Sequence, residues 1–164
     1  MLNNIFYDSS ATISDTEAVA FDNLLCFERE VTQPQIVKQE IDIVMPKLRK
    51  IGVNHKNIVI SKVIRTDPIR KTMTMQIHVP LKTNERLKQF FCDNSQYTLE
   101  HSFVIQKGVK LVISNSEREF RAGIQRLMEL RSGFDMKNNP IIELSHISFD
   151  GRVLGFELFL EDNV

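Results

Sequence analysis

The chain has 164 residues, and its 21 Lys and Arg balance 21 Asp and Glu. Because nucleic-acid binding needs a concentrated basic surface, this balance argues against a dedicated nucleic-acid binder, and 42% hydrophobic residues exclude a disordered chain. No apolar run approaches the ~20 residues that span a bilayer. With no signal peptide at the start of the sequence, we expect a cytoplasmic protein with no membrane partner.

Residues 1–17 are rich in Ser, Thr, Asn and Asp, and we expect them to form a loosely ordered leader. Residues 18–164 are predicted to form one domain. Within it we expect two modules, at about 18–82 and 98–164, and a connector at 83–97.

The first module begins with a strand-like run at 23–31, and a helix follows at about 34–51. Its apolar residues recur every three or four positions, as on one face of a helix. Thr32 and Gln35 have the spacing of a capping box, and Gly52 is a typical helix end. Pro46 lies inside the helix, where it should kink the helix or leave one carbonyl to find another partner.

A hairpin follows, with predicted strands at 57–65 and 72–81. Polar and apolar residues alternate from Thr72 to Val79, which predicts a strand with one solvent-exposed face and one buried face. The connector 83–97 is expected to hold a short helix, and an extra strand is expected at 99–106.

The second module repeats this order. A strand is predicted at 109–114 and a helix at 116–132, where Ser116 and Glu119 have capping-box spacing and Gly133 is the expected end. Two further strands are predicted at 141–149 and 152–161. Asp150-Gly151 between them is a strong hairpin turn signal.

Strand, helix and hairpin thus occur twice, which predicts an α+β fold of two βαββ modules. We expect one pseudo-two-fold antiparallel sheet with both helices on one face. This duplicated order, from about Leu24 to Asp162, resembles the GyrI-like effector-binding superfamily. The resemblance implies a ligand cleft between the modules, with an acidic residue for cationic ligands and aromatic walls. Since the chain has 11 Phe and no Trp, Phe would have to form those walls.

Glu157 is the principal candidate for ligand binding. It lies in an apolar final strand, on the same predicted face as Gly155 and Phe159. A carboxylate there is either solvated on an open face or held in a pocket, where burial would be costly without a partner. The missing side chain at Gly155 would leave room for a ligand beside it.

Glu143 occupies a similar position in the preceding strand. If the faces of the two strands coincide, Glu143 and Glu157 would be neighbours across the hairpin. Such a pair would attract a cation, or would titrate as an acid–base pair. The sequence offers no other part of a catalytic site, so we expect no enzymatic activity.

Cys26 and Cys92 both have large apolar neighbours, and we expect two reduced, buried thiols. The four histidines are scattered and show no metal-ligand spacing, so the sequence predicts no metal site and no cofactor.

The favoured function is a non-enzymatic, stand-alone domain that binds a small lipophilic or cationic ligand between the modules. The alternative is a protein adaptor or chaperone, including one associated with secretion, that uses an exposed sheet face or edge. Either function is compatible with a homodimer.

Overall fold

Eight strands and three helices form the part of the chain, residues 13–130 and 140–162, that this computed structural model describes. The predicted α+β class is confirmed. By number they are β1 Ile13–Thr16, β2 Val19–Val31, α1 Gln35–Lys50, β3 Ile58–Asp67, β4 Thr72–Pro80, α2 Leu87–Asp93, β5 Thr98–Ile105, β6 Gly108–Ser114, α3 Glu117–Leu130, β7 Ile142–Ile147 and β8 Val153–Glu161.

The chain divides into two compact units. The first unit consists of residues 20–103, and the second unit of the described residues before and after them. The predicted connector 83–97, with its short helix α2, belongs to the first unit. Residues 1–12 of the predicted leader lie outside the described residues, whereas Ile13–Thr16 is a strand that pairs with β6 in the second unit.

In the first unit the strand order is β3-β4-β2-β5. β4 pairs antiparallel with both β2 and β3. Helix α1 lies on the sheet face that carries Phe27 and Arg29, since Arg29 forms an ion pair with Glu40 of α1 at 2.6 Å. The opposite face of this sheet carries Cys26, which is directly across from His78 on β4.

Helix α1 follows its predicted apolar stripe, with five buried residues, and runs through Pro46. The capping box predicted for Thr32 and Gln35 is wrong. The residue before the helix is Pro34, and no side chain caps the first turn. Gly52 ends the helix as predicted, with a positive φ of 80° and its N–H bonded to the Arg49 carbonyl.

In the second unit the strand order is β1-β6-β8-β7. Helix α3 contributes Leu127 to a core of six buried residues, whose other members are Leu111, Ile113, Ile141, Leu158 and Leu160. The N-terminus of α3 forms half of the predicted capping box, because the Glu119 N–H donates to Ser116 Oγ at 3.4 Å while the Glu119 carboxylate bonds Ser114 instead. The predicted end at Gly133 lies outside the described residues.

The β7–β8 hairpin turns at Asp150-Gly151 as predicted, with Gly151 at a φ of 88°. Of the helices that the structure describes, none combines the length and the apolar character needed to cross a membrane.

Candidate functional site

A pocket of about 310 Å³ opens on the first unit. Its lining comes from three adjacent strands and from the segment before β5: Cys26, Phe27, Glu28, Gln76, His78, Gln96, Thr98 and Glu100. Most of these residues are polar, and the lining contains two carboxylates but no Lys or Arg. None of them was predicted as a site residue.

The strand register explains why these side chains meet. Cys26 faces His78, and Glu28 faces Gln76, in the β2–β4 ladder. Since residues directly opposite each other share a face, and so do residues two apart, all four lie on the sheet face away from α1. Glu100 on β5 completes the group, with Oε2 3.5 Å from Cys26 Sγ.

His78 is the centre of this site. Its Nδ1 lies 3.2 Å from Cys26 Sγ and 3.5 Å from Glu100 Oε1. On the other side of the ring, Nε2 lies 3.0 Å from Gln76 Oε1. The Phe103 ring lies against the imidazole, with centroids 4.1 Å apart, so His78 is only 2% exposed. The sequence predicted that this face of β4 is exposed to solvent. That prediction is wrong at His78, because an aromatic ring covers the imidazole.

Burial controls the protonation of this group. It lowers the pKa of His78 to about 4, with a smaller effect from the Lys62 charge, so the imidazole is neutral at pH 7. Burial, and then the Glu100 carboxylate, raise the pKa of the Cys26 thiol well above its usual range. The resting site thus contains a neutral thiol and a neutral imidazole beside a half-exposed carboxylate.

The two cysteines differ in exposure. Both are free, and Cys26 is buried as predicted, but Cys92 is exposed, so the prediction of two buried thiols is wrong. The reason is the orientation of α2, which turns Leu87 and Phe90 inward. Cys92, two residues beyond Phe90, falls on the outer side of the helix.

Glu157, the principal sequence candidate, lies in the second unit and is 17% exposed. Its two carboxylate oxygens lie 3.1 Å from Lys110 Nζ and 2.8 Å from His146 Nε2. Phe159 shares its face and is buried. Gly155 is closely packed, since a Cβ there would lie 3.2 Å from the Ile113 carbonyl oxygen.

Glu143 does not meet Glu157. Glu143 faces Leu158 and Glu157 faces Leu144 in the β7–β8 ladder, so the two carboxylates lie on opposite faces of the sheet. The condition for a carboxylate pair is therefore not met. Glu143 accepts a hydrogen bond from Ser145 at 3.1 Å, and burial raises its pKa.

The fold is similar to that of EcmrR in two solved structures. The EcmrR C-terminal domain has a TM-score of 0.57 at 10% identity, and the match covers 94% of this chain and 98% of that domain. EcmrR in the EcmrR-DNA complex of EcmrR-RPo has a TM-score of 0.58 at 11% identity, with 99% of this chain covered. This chain spans 64% of the length of that EcmrR chain.

At these identities the similarity shows the fold alone. No protein-family model matches the sequence, and a search of curated proteins finds no relative.

Proposed function

We propose that the chain is a small-molecule-binding domain and that the pocket on the first unit receives the ligand. The observation that supports this most is the pocket itself, which at about 310 Å³ falls within the size range of ligand sites. Its polar groups converge from β2, β4 and β5, so a rigid sheet holds them in place. We propose binding without catalysis.

The lining favours a ligand with a cationic group. Glu28 and Glu100 are the charged residues among the eight that line the pocket. Glu28 accepts a hydrogen bond from Gln76 at 2.9 Å, and Glu100 is half-exposed, so its carboxylate is only partly desolvated. A carboxylate at a partly desolvated wall attracts a cation through a lower effective dielectric than water has.

The GyrI-like resemblance supports the same class of ligand, since it implies an acidic residue that meets cationic ligands. One of the two EcmrR structures is a complex with DNA. For this chain we propose a small-molecule partner and no nucleic acid, because its 21 Lys and Arg are balanced by 21 Asp and Glu.

The test compares benzyltrimethylammonium with neopentylbenzene, a neutral molecule of the same shape, by titration of the full chain in the presence of EDTA. We expect the cation to bind about tenfold more tightly, which corresponds to ~1.4 kcal/mol. Glu100→Gln should remove most of this preference while sparing the neutral molecule.

Glu157→Gln is the matched control, since it removes one carboxylate from the second unit and should leave the preference unchanged. Equal binding of the two probes by the unaltered chain would contradict the proposed function. A preference that Glu157→Gln abolishes and Glu100→Gln spares would favour the site predicted from sequence. If neither probe binds, the adaptor alternative gains support.

A further inference from the structure

Three different metal-binding side chains converge at one point in the first unit. Cys26 Sγ lies 3.2 Å from His78 Nδ1, and the Glu100 carboxylate meets both, with Oε2 3.5 Å from the sulfur and Oε1 3.5 Å from Nδ1. Four ligands held tetrahedrally at Zn²⁺ distances of ~2.0–2.3 Å are separated from one another by roughly 3.3–3.6 Å. The sulfur and the nitrogen, and each of them and its nearer Glu100 oxygen, are thus separated by nearly the distance between two ligands of such an ion.

A chain of hydrogen bonds fixes which nitrogen of His78 is free to bind. The Gln76 amide nitrogen donates to Glu28 at 2.9 Å, so its oxygen is turned toward His78 Nε2. That oxygen can only accept, which places the imidazole proton on Nε2 and leaves a lone pair on Nδ1. Metal-bound histidines are oriented in the same way by an acceptor on the other ring nitrogen.

The point where the three side chains meet has too few protons for its acceptors. His78 Nδ1 and Glu100 Oε1 are both acceptors, and they face each other at 3.5 Å. The Cys26 thiol has one proton for these two, and the Leu24 carbonyl oxygen lies 3.8 Å from the same sulfur. A cation at this point would neutralise the acceptors at once and would displace the thiol proton, as metal binding to cysteine does.

We propose that Cys26, His78 and Glu100 bind a divalent metal ion of the zinc type, with a fourth position open to the pocket. A thiolate, an imidazole and a carboxylate are the ligand types that zinc takes, and three protein ligands with one open position form an unsaturated site. The thiolate disfavours Mg²⁺ and Ca²⁺, which prefer oxygen. The proposal does not rest on the organic ligand of the pocket.

Binding of Co²⁺ to the purified, reduced full chain tests the proposal, because cobalt substitutes for zinc and reports its ligands. We expect one equivalent to bind, with a thiolate-to-cobalt charge-transfer band and the intense visible bands of a tetrahedral ion. Stoichiometric Zn²⁺ should displace the cobalt. Cys26→Ser should abolish the charge-transfer band, and Cys92→Ser, which alters the exposed cysteine, should leave it intact.

Because Cys26 is buried, Cys26→Ser risks misfolding, so Glu100→Gln provides a second test at a half-exposed position. We expect it to weaken Zn²⁺ binding at least tenfold. Gln76→Met, which removes the acceptor on His78 Nε2, should weaken it about 10–100-fold, the range found for such supporting residues. A charge-transfer band that Cys92→Ser abolishes, unchanged Zn²⁺ affinity in Glu100→Gln, or no stoichiometric cobalt binding would each overturn the proposal.

Discussion

His78 lies directly opposite Cys26 in the β2–β4 ladder, and its Nδ1 is 3.2 Å from the cysteine sulfur. A cysteine beside a histidine can be an activated nucleophile when the histidine takes the thiol proton. Here burial and the Glu100 carboxylate favour the neutral thiol, and the imidazole is neutral as well. The pair is therefore a neutral thiol beside a neutral imidazole and not a charged thiolate–imidazolium couple.

The two thiols should accordingly differ in reactivity. In EDTA at pH 7.5, iodoacetamide should modify the exposed Cys92 at least tenfold faster than the buried Cys26. The reason is that iodoacetamide reacts only with a thiolate that it can reach. Mass spectrometry of the alkylated peptides over time measures both rates. In denaturant the rates should become similar. A Cys26 that reacts as fast as Cys92 in the folded chain would point to an activated nucleophile and to enzymatic chemistry.

Glu143 should make stability depend on pH. Burial raises its pKa above the ordinary value of 4.5. A carboxyl whose pKa is higher in the folded state favours folding more as the pH falls, and its charged form costs stability above that raised pKa. Glu143→Gln should therefore raise the melting temperature at pH 7.5, by about 2 °C for a chain of this size, with a gain that shrinks toward pH 4.

The control for this measurement is Asp42→Asn on the exposed side of α1. It should change the melting temperature little, and by the same amount at both pH values. If Glu143→Gln has the same effect at pH 7.5 and pH 4, the carboxylate is not desolvated in the folded protein.

Glu40 should stabilise the first unit more than an ordinary surface carboxylate does. It bonds Arg29 at 2.6 Å and Tyr97 Oη at 3.2 Å, with side-chain exposures of 30% for Arg29 and 21% for Glu40. Glu40→Gln should lower the free energy of unfolding by about 1–2 kcal/mol, because it weakens two hydrogen bonds to a charged group. Denaturant titration measures this change.

The Glu117–Arg121 pair provides the comparison, since it is equally short at 2.6 Å but 77% and 78% exposed. Glu117→Gln should cost less than ~0.5 kcal/mol, as is usual for exposed ion pairs. Equal losses from the two variants would show that exposure does not decide the strength of these pairs.

The sequence predicted the elements well because their signals are local. The apolar stripe of α1, the Gly52 stop and the Asp150-Gly151 turn each depend on neighbours a few residues away. The capping box at Thr32 failed for a local reason too, because the helix begins only after Pro34. The exposure of Cys92 depends on the rotation of α2 about its axis. The sequence of a seven-residue helix with two inward residues barely specifies that rotation.

The candidate site could not be predicted in this way. Cys26 is 52 residues from His78 and 74 from Glu100, and only the strand order and register bring them together. One signal was available, since alternation in β4 put Gln76 and His78 on a common face. Without the register, the sequence gives no reason to add Cys26 or Glu100 to the site. It favours Glu157 instead, because Glu157 is a carboxylate in the most apolar strand. Its two partners, Lys110 and His146, also come from neighbouring strands.

The proposed ligand site lies on the β2–β4–β5 face of the first unit, and amide chemical shifts can locate where a ligand binds. Benzyltrimethylammonium should be titrated into the 15N-labelled full chain in EDTA, with assigned two-dimensional spectra recorded at each step. We predict saturable shifts at residues near Cys26, His78 and Glu100, reduced in Glu100→Gln and unchanged in Glu157→Gln. Shifts centred on Glu157 and Gly155 in β8, with none near His78, would contradict the claim.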